Sequence, residues 1–346
     1  MAVTETIVPA GGLVLVTGVN GFIASHIANL LLKQGYAVRG SIRSLERGAW
    51  VQEAFAERHP KGTFSTIQVA DVNAEAAWGK AIAGVDGIVH VAGDMSFGAD
   101  PNQVITPMVN GVRNLLRTAA KEKSVKRFVF TSSNRAALNP IPGKELTVHR
   151  NLWNDSAIAG AWRPPPYEAD RIWDVYAALK AQVEQEVWRF SKEENPHFVV
   201  NTILPDFVVG PIFHPKQPGS TGKWVMDFWR DPGHYEPLKN FIPQWFVDVE
   251  DTAFLHIASL TQEDVKGERL WGFADTFNFN SWVGVFRKVD PKRKWPEDDP
   301  EQGHDLTKID TSREVELLKR FGQDGWTSFF ESVKRNVLDT PAAWPA

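Results

Sequence analysis

The stretch Val16-Thr17-Gly18-Val19-Asn20-Gly21-Phe22-Ile23-Ala24 constrains this chain more than any other. It joins a short apolar run, residues 13–17, to residues 22–34, where Ile23, Ile27, Leu30 and Leu31 recur at helical spacing ahead of Gly35. Glycine at 18 lets the chain turn tightly, and glycine at 21 lets a pyrophosphate approach the N–H groups of a helix N-terminus. Ala24 is small enough for close helix–strand packing. Glycine pairs occur in many turns; this one gains meaning from standing at the first strand-to-helix junction of an alternating chain.

The alternation continues for two hundred residues. Strands are expected at 37–42, 66–69, 87–92, 127–132 and 198–204, and helices at 104–121 and from near Trp173 to 192. This pattern predicts an α/β fold, a Rossmann-type doubly wound parallel sheet. Past residue 210 the texture changes. Residues 211–245 are rich in proline, glycine and tryptophan around one helix at 222–230, residues 285–305 are charged and proline-punctuated, and two helical segments follow within 311–336. The expected division is a nucleotide-binding domain over 1–210, with 246–273 returning to it, and a smaller cap from 211–245 and 274–346.

Composition excludes several function classes. Thirty-eight lysines and arginines against 42 aspartates and glutamates leave a formal charge of −4, which argues against nucleic acid or an anionic membrane as partner. The chain contains no cysteine, which removes disulfides, thiolate zinc sites, iron–sulfur clusters and a cysteine nucleophile. Nine histidines show no HExxH or paired spacing, so no metal is expected. His90, inside a strand, reads as a hydrogen-bonded core residue, and Glu250-Asp251 and Asp298-Asp299 read as solvated or capping charges. The first ten residues have no basic start and no long apolar run, which predicts a soluble, cytoplasmic protein. Fourteen tryptophans require an explanation in packing or pocket lining.

Three further groups carry chemistry. At the end of the second strand, about twenty residues past the glycine turn, an NAD-selective site usually carries an acid for the ribose hydroxyl. Arg39 and Arg43 stand there instead, with no carboxylate between them, and guanidinium forks suit a 2′-phosphate, so NADPH/NADP is the expected cofactor. Tyr176 and Lys180 share a helix face at i and i+4, where an ammonium favours a phenolate. Tyr235 and Lys239 have the same spacing, but Pro237 stands between them and nothing nucleotide-like precedes them. Ser132 and Ser133 end the fifth strand, and ligands bind at such carboxyl ends.

Together Thr17–Ala24, Ser133, Tyr176 and Lys180 resemble the extended short-chain dehydrogenase/reductases. The runs 126–133 (KRFVFTSS), 90–97 (HVAGDMSF), 204–211 (LPDFVVGP) and 246–251 (FVDVED) are similar to the dihydroflavonol-reductase-like branch, in particular to microbial NADPH-dependent aldehyde and carbonyl reductases of the aldehyde reductase II type. The resemblance spans nearly the whole chain. It implies reduction of an aldehyde or ketone, with Ser133 orienting the carbonyl, Tyr176 donating the proton and Lys180 strengthening that acid and holding the nicotinamide ribose. Gly18, Asn20, Gly21, Phe22 and Ile23 would hold the pyrophosphate, Asp71 and Val72 the adenine, Val91 and Ala92 the cofactor's flank, and Pro205 and Val208 its carboxamide end. The chain departs from relatives at His149-Arg150, Asn134 and Leu179, none of which belongs to the triad. The expected substrate pocket comprises Asp94, Met95, Phe97, Asn134, Phe207, Trp224 and Phe228, which suits a bulky or aromatic small-molecule carbonyl. The expected protein is a monomer or homodimer. The rival readings are a cofactor-retaining epimerase, dehydratase or isomerase, and a non-catalytic nucleotide sensor; fold alone does not separate them.

Overall fold

The computed structural model describes residues 6–74, 76–217, 220–231 and 240–340, without the side chain of Arg47. In chain order the elements are β1 (Leu13–Thr17), α1 (Phe22–Lys33), β2 (Ala37–Ile42), α2 (Leu45–Arg58), β3 (Phe64–Gln68), α3 (Gly79–Ile82), β4 (Gly87–His90), α4 (Pro101–Lys121) and β5 (Arg127–Thr131). There follow β6 (Glu145–Val148), α5 (Asp155–Ala161), α6 (Ile172–Glu193), β7 (Val199–Pro205), β8 (Phe207–Val209), α7 (Thr221–Arg230), β9 (Gln244–Asp248) and α8 (Val249–Thr261). The last are β10 (Arg269–Gly272), β11 (Asp275–Phe277), α9 (Phe279–Val289), β12 (Leu306–Ile309), α10 (Ser312–Arg320) and α11 (Phe329–Leu338). Among the described residues no helix is long and apolar enough to cross a membrane, and no group of three His, Cys, Asp or Glu could hold a metal ion.

The chain forms two compact units. The first contains Met1–Asn139, Leu152–Leu204 and Ala253–Leu270, built on a seven-stranded sheet of order β10-β7-β5-β4-β1-β2-β3. The ladders from β3 to β7 are parallel. Both faces are covered, which is why these strands read as continuous apolar runs rather than alternating ones. On one face Val112, Leu115 and Leu116 of α4 and Val183, Val187 and Phe190 of α6 bury Leu15, Ile88 and Phe128. Asp100 caps α4 by accepting the Asn102 N–H, and Pro101 follows at the first helical position, where its missing N–H costs nothing.

The second unit contains Pro140–Asn151, Pro205–Thr252 and Trp271–Ala346. Its boundary differs from the sequence expectation because β8 pairs with β9, drawing 205–210 and 246–252 out of the first unit. Residues 140–151 leave it likewise, because β6 pairs with β12. An aromatic core of Phe207, Phe246, Phe277, Trp282 and Phe329 holds this unit together, with neighbouring rings 4.6–5.8 Å apart. Packing thus explains part of the tryptophan content: Trp78 in the first unit, and Trp271 and Trp282 in the second, are each only 1% exposed.

Asp251 corrects another expectation. It is not a solvated charge: it is 1% exposed and accepts hydrogen bonds from the Thr327 N–H and hydroxyl. Burial, then the neighbouring Asp248 carboxylate, raises its pKa to about 7. The Asp248 pKa is raised as well, by burial, against the pull of Arg335. A folded value above the unfolded one means that the native state keeps a proton the unfolded chain releases. Stability from this group is therefore present below about pH 4 and declines until about pH 7, by at most about 4 kcal/mol. Asp251→Asn keeps both bonding partners and removes the titration. We expect it to raise the thermal midpoint at pH 8 and to flatten the midpoint's dependence between pH 5 and 8. A variant no more stable than wild type at pH 8 would contradict this.

Candidate active site

Strand order reverses between β1 and β4: the chain steps outward through β2 and β3 on one side, and through β5 and β7 on the other. In open parallel sheets, ligands bind at the carboxyl ends flanking such a switch point. The glycine turn lies there. Gly18 has φ +63°, and a Cβ on it would stand 3.2 Å from Ala92 Cα. Gly21 is the N-cap of α1 with no side-chain cap, and a Cβ there would meet the Gly18 carbonyl at 3.1 Å. First-turn N–H groups have no acceptor within their own helix. An uncapped helix start beside two side-chain-free positions fits the pyrophosphate of a dinucleotide.

Thr17 fixes the opposite wall. Its hydroxyl accepts the Val91 and Ala92 N–H groups, both at 3.0 Å, and lies 2.8 Å from His90 Nδ1. With both acceptor sites used, its proton goes to Nδ1, which leaves His90 with its proton on Nε2. Those two amides leave the sheet ladder to reach Thr17, and β4 therefore ends at His90 rather than Ala92. His90 is 3% exposed, and burial, then the charge of Lys180, depresses its pKa to about 3. It is a neutral core histidine, not a base.

Tyr176 and Lys180 stand one turn apart on α6, with the ammonium 6.0 Å from the phenol ring centre. A Cβ added to Gly93 would lie 3.6 Å from Lys180 Nζ, so the ammonium reaches the loop after β4. The Tyr176 ring lies 5.3 Å from Phe97 and 6.2 Å from Trp173. Ser133 follows β5 as the N-cap of a 3-10 turn, Asn134–Ala136. Its hydroxyl accepts the Arg135 N–H and donates to Asn134 Oδ1 at 2.9 Å. Asn134 is 3% exposed, and its Nδ2 has no partner. The Arg135 guanidinium lies 5.8 Å from the Trp173 ring centre, which links the serine turn to the tyrosine helix.

Beneath this site runs a buried ion pair that the sequence reading missed. Glu184, fully buried, accepts Arg269 Nε at 2.8 Å and Nη2 at 3.2 Å. It also accepts the hydroxyls of Ser132 at 2.7 Å and Thr202 at 2.9 Å, and the Trp188 indole N–H. Arg269 donates in addition to the Leu152 carbonyl and lies over the Trp153 ring at 4.1 Å. One carboxylate thereby ties α6, two turns past Tyr176, to the residue preceding Ser133. Its one trace in the sequence was an acid sharing a helix face with the small residues Ala177 and Ala181.

The remaining expected residues divide. Asp71 accepts the Asn73 N–H, and the Val72 carbonyl accepts the Trp78 indole N–H, which shapes the loop after β3. Arg39 Nη1 donates to the carbonyls of Ala81 at 2.9 Å and Ala83 at 2.8 Å, capping the end of α3. Arg43 is exposed, and its guanidinium makes no hydrogen bond or ion pair among the described residues. Asp94 accepts the Ser96 N–H, and Met95 is 57% exposed. Pro205, Val208, Phe207, Trp224 and Phe228 belong to the second unit. There Phe207 and Phe228 are 5% and 6% exposed, so they serve as core residues and not as an open pocket wall. Trp224 packs on Phe207 and Phe241. Tyr235 and Lys239 lie outside the described residues.

Comparison with known proteins agrees with this fold. Residues 14–270 match the NAD dependent epimerase/dehydratase family. The chain is 54% identical to an NAD-dependent epimerase/dehydratase of Aspergillus terreus, covering 99% of this chain and 100% of that protein. It is 39% identical to aldehyde reductase 2 of Sporidiobolus salmonicolor, over 96% and 97% of the two chains. The solved structure of Gre2 from Candida albicans in complex with NADPH superposes with a TM-score of 0.79 at 25% identity, covering 94% of this chain and 98% of that one. The chain belongs to the NAD dependent epimerase/dehydratase family, the extended short-chain dehydrogenase/reductases.

Proposed function

We propose that this protein reduces an aldehyde or ketone to an alcohol at the expense of NADPH. The observation that carries the reading is the Tyr176–Lys180 pair on α6, its ammonium beside the loop that follows β4 at the switch point. Gly18, Asn20, Gly21, Phe22 and Ile23 would hold the pyrophosphate, Asp71 and Val72 the adenine, and Val91, Ala92 and Lys180 the nicotinamide end. The bound dinucleotide supplies the hydride that carbonyl carbon requires. Tyr176 gives the carbonyl oxygen its proton, and the Lys180 charge favours the phenolate left behind. Ser133 donates a hydrogen bond to the same oxygen, where negative charge develops. For that, its proton must leave Asn134 Oδ1. Reversing the Asn134 amide achieves this, since its unpartnered Nδ2 then donates to Ser133 and frees the serine hydroxyl.

The similarity to aldehyde reductase 2 and to the NADPH complex of Gre2 supports reduction. The relative named epimerase/dehydratase keeps a second reading in view. The turn after Ser133 carries Asn134 and Arg135, neither of which exchanges a proton at neutral pH, so this turn offers no acid or base for elimination of water. The test follows NADPH absorbance against aromatic aldehydes, α- and β-keto esters, diketones and flavonoid-like ketones. A reductase consumes one NADPH per alcohol formed; substrate conversion without NADPH loss would overturn the reading.

The two arginines have different expected effects on cofactor choice. Arg43→Ala should weaken NADPH several-fold and leave NADH nearly untouched, because only NADPH carries the 2′-phosphate. Arg39→Ala should also destabilise the fold, because it uncaps α3. Titrating both cofactors into each variant checks this; equal loss of both on Arg43→Ala would assign the phosphate to other groups.

A further inference from the structure

Trp173 is an apolar side chain left in water beside the proton donor. It is 52% exposed, whereas Val175, Ala177, Ala178 and Leu179 on the same helix are buried. It is also held in place. The Phe97 ring meets it edge-on at 5.5 Å, Tyr176 at 6.2 Å with perpendicular planes, and the Arg135 guanidinium at 5.8 Å. Phe97 takes φ +52°, a left-handed conformation that costs a non-glycine residue of order 1–3 kcal/mol and persists where the surroundings over-determine it. That turn sets one ring against both Tyr176 and Trp173. Met95, 57% exposed and two residues upstream, adds a soft, adaptable side chain.

The geometry points to Trp173 as the residue that selects the substrate: a flat aryl aldehyde or ketone whose ring lies against the indole while its carbonyl meets Tyr176 and Ser133. Aromatic rings pair favourably in offset or edge-to-face arrangements, which a saturated ring of the same size cannot do. Trp173 precedes Tyr176 by three residues, about 4.5 Å along the helix axis. A ring on the indole therefore places its attached carbonyl near the phenol. This inference rests on the carbonyl-reductase reading, and it names a residue outside the pocket expected from sequence.

The experiment compares an aryl methyl ketone with its cyclohexyl counterpart in wild type, Trp173→Ala and Trp173→Phe. Specificity constants come from NADPH oxidation, and calorimetry measures binding of the same ketones to the NADP-loaded Tyr176→Phe enzyme with and without Trp173→Ala. We expect the aryl-to-cyclohexyl ratio to fall about tenfold in Trp173→Ala, as loss of an aromatic pair implies, and to recover largely in Trp173→Phe. Both ketones reduced at an unchanged ratio would overturn the role of Trp173 and leave carbonyl reduction standing. No reduction of either, with aryl binding still weakened by Trp173→Ala, would overturn carbonyl reduction and leave the aromatic site standing. Absence of both reduction and Trp173-dependent binding would overturn both.

Discussion

Tyr176→Phe should lower turnover by roughly 10²–10⁴-fold, the usual contribution of a positioned general acid, while NADPH binding persists. The substitution removes one oxygen and keeps the ring that packs on Phe97 and Trp173, so the site's aromatic frame stays in place. The loss should fall mainly on turnover, because the proton is needed as charge develops on the carbonyl oxygen rather than on binding. The same change at Tyr235 should have little effect, since Pro237 interrupts its spacing to Lys239 and nothing nucleotide-like precedes it in the sequence. Near-wild-type reduction by Tyr176→Phe would remove the proton donor from the scheme.

Glu184→Ala should have the largest effect on folding. It leaves Arg269, 7% exposed, without its carboxylate, and takes the acceptor from Ser132 and Thr202. Removing one member of a buried pair typically costs about 3–5 kcal/mol, because the remaining charge is neither paired nor hydrated. Replacing both, as Glu184→Leu with Arg269→Met, should recover much of that stability. Activity should recover less, because Ser132 still lacks the bond that ties the serine turn to α6. Urea midpoints and turnover for the single and double variants check both statements. A double variant that regains full activity would show that the pair has no part in placing Ser133 and Tyr176.

What the sequence made legible follows from how local each signal is. The glycine turn, six of the seven strands of the large sheet and the helix bearing Tyr176 and Lys180 were readable, since each follows from periodicity or from one backbone requirement. α2 was not, because its apolar residues Trp50, Val51, Ala54 and Phe55 are diluted by charged neighbours on both sides. β6 and β12 pair across more than 150 residues and have no local pattern that announces a partner. The aromatic residues of the cap region looked like pocket wall, yet Phe207 and Phe228 are core, because an apolar ring gives no sign of which side it faces. Asp251 misled for the opposite reason: a charged pair in sequence does not reveal that one member is buried. Glu184 became intelligible only with Arg269, which is 85 residues away in the chain.

The most direct measurement of the central claim is the fate of deuterium from NADPH carrying deuterium at both C4 positions of the nicotinamide, with an aryl ketone as substrate. A carbonyl reductase gives an alcohol with one deuterium on the carbinol carbon for each NADPH oxidised, and Tyr176→Phe slows its formation. A product isomeric with its substrate or lacking water, formed with no net oxidation of NADPH, would contradict carbonyl reduction and leave this site to an isomerase or dehydratase.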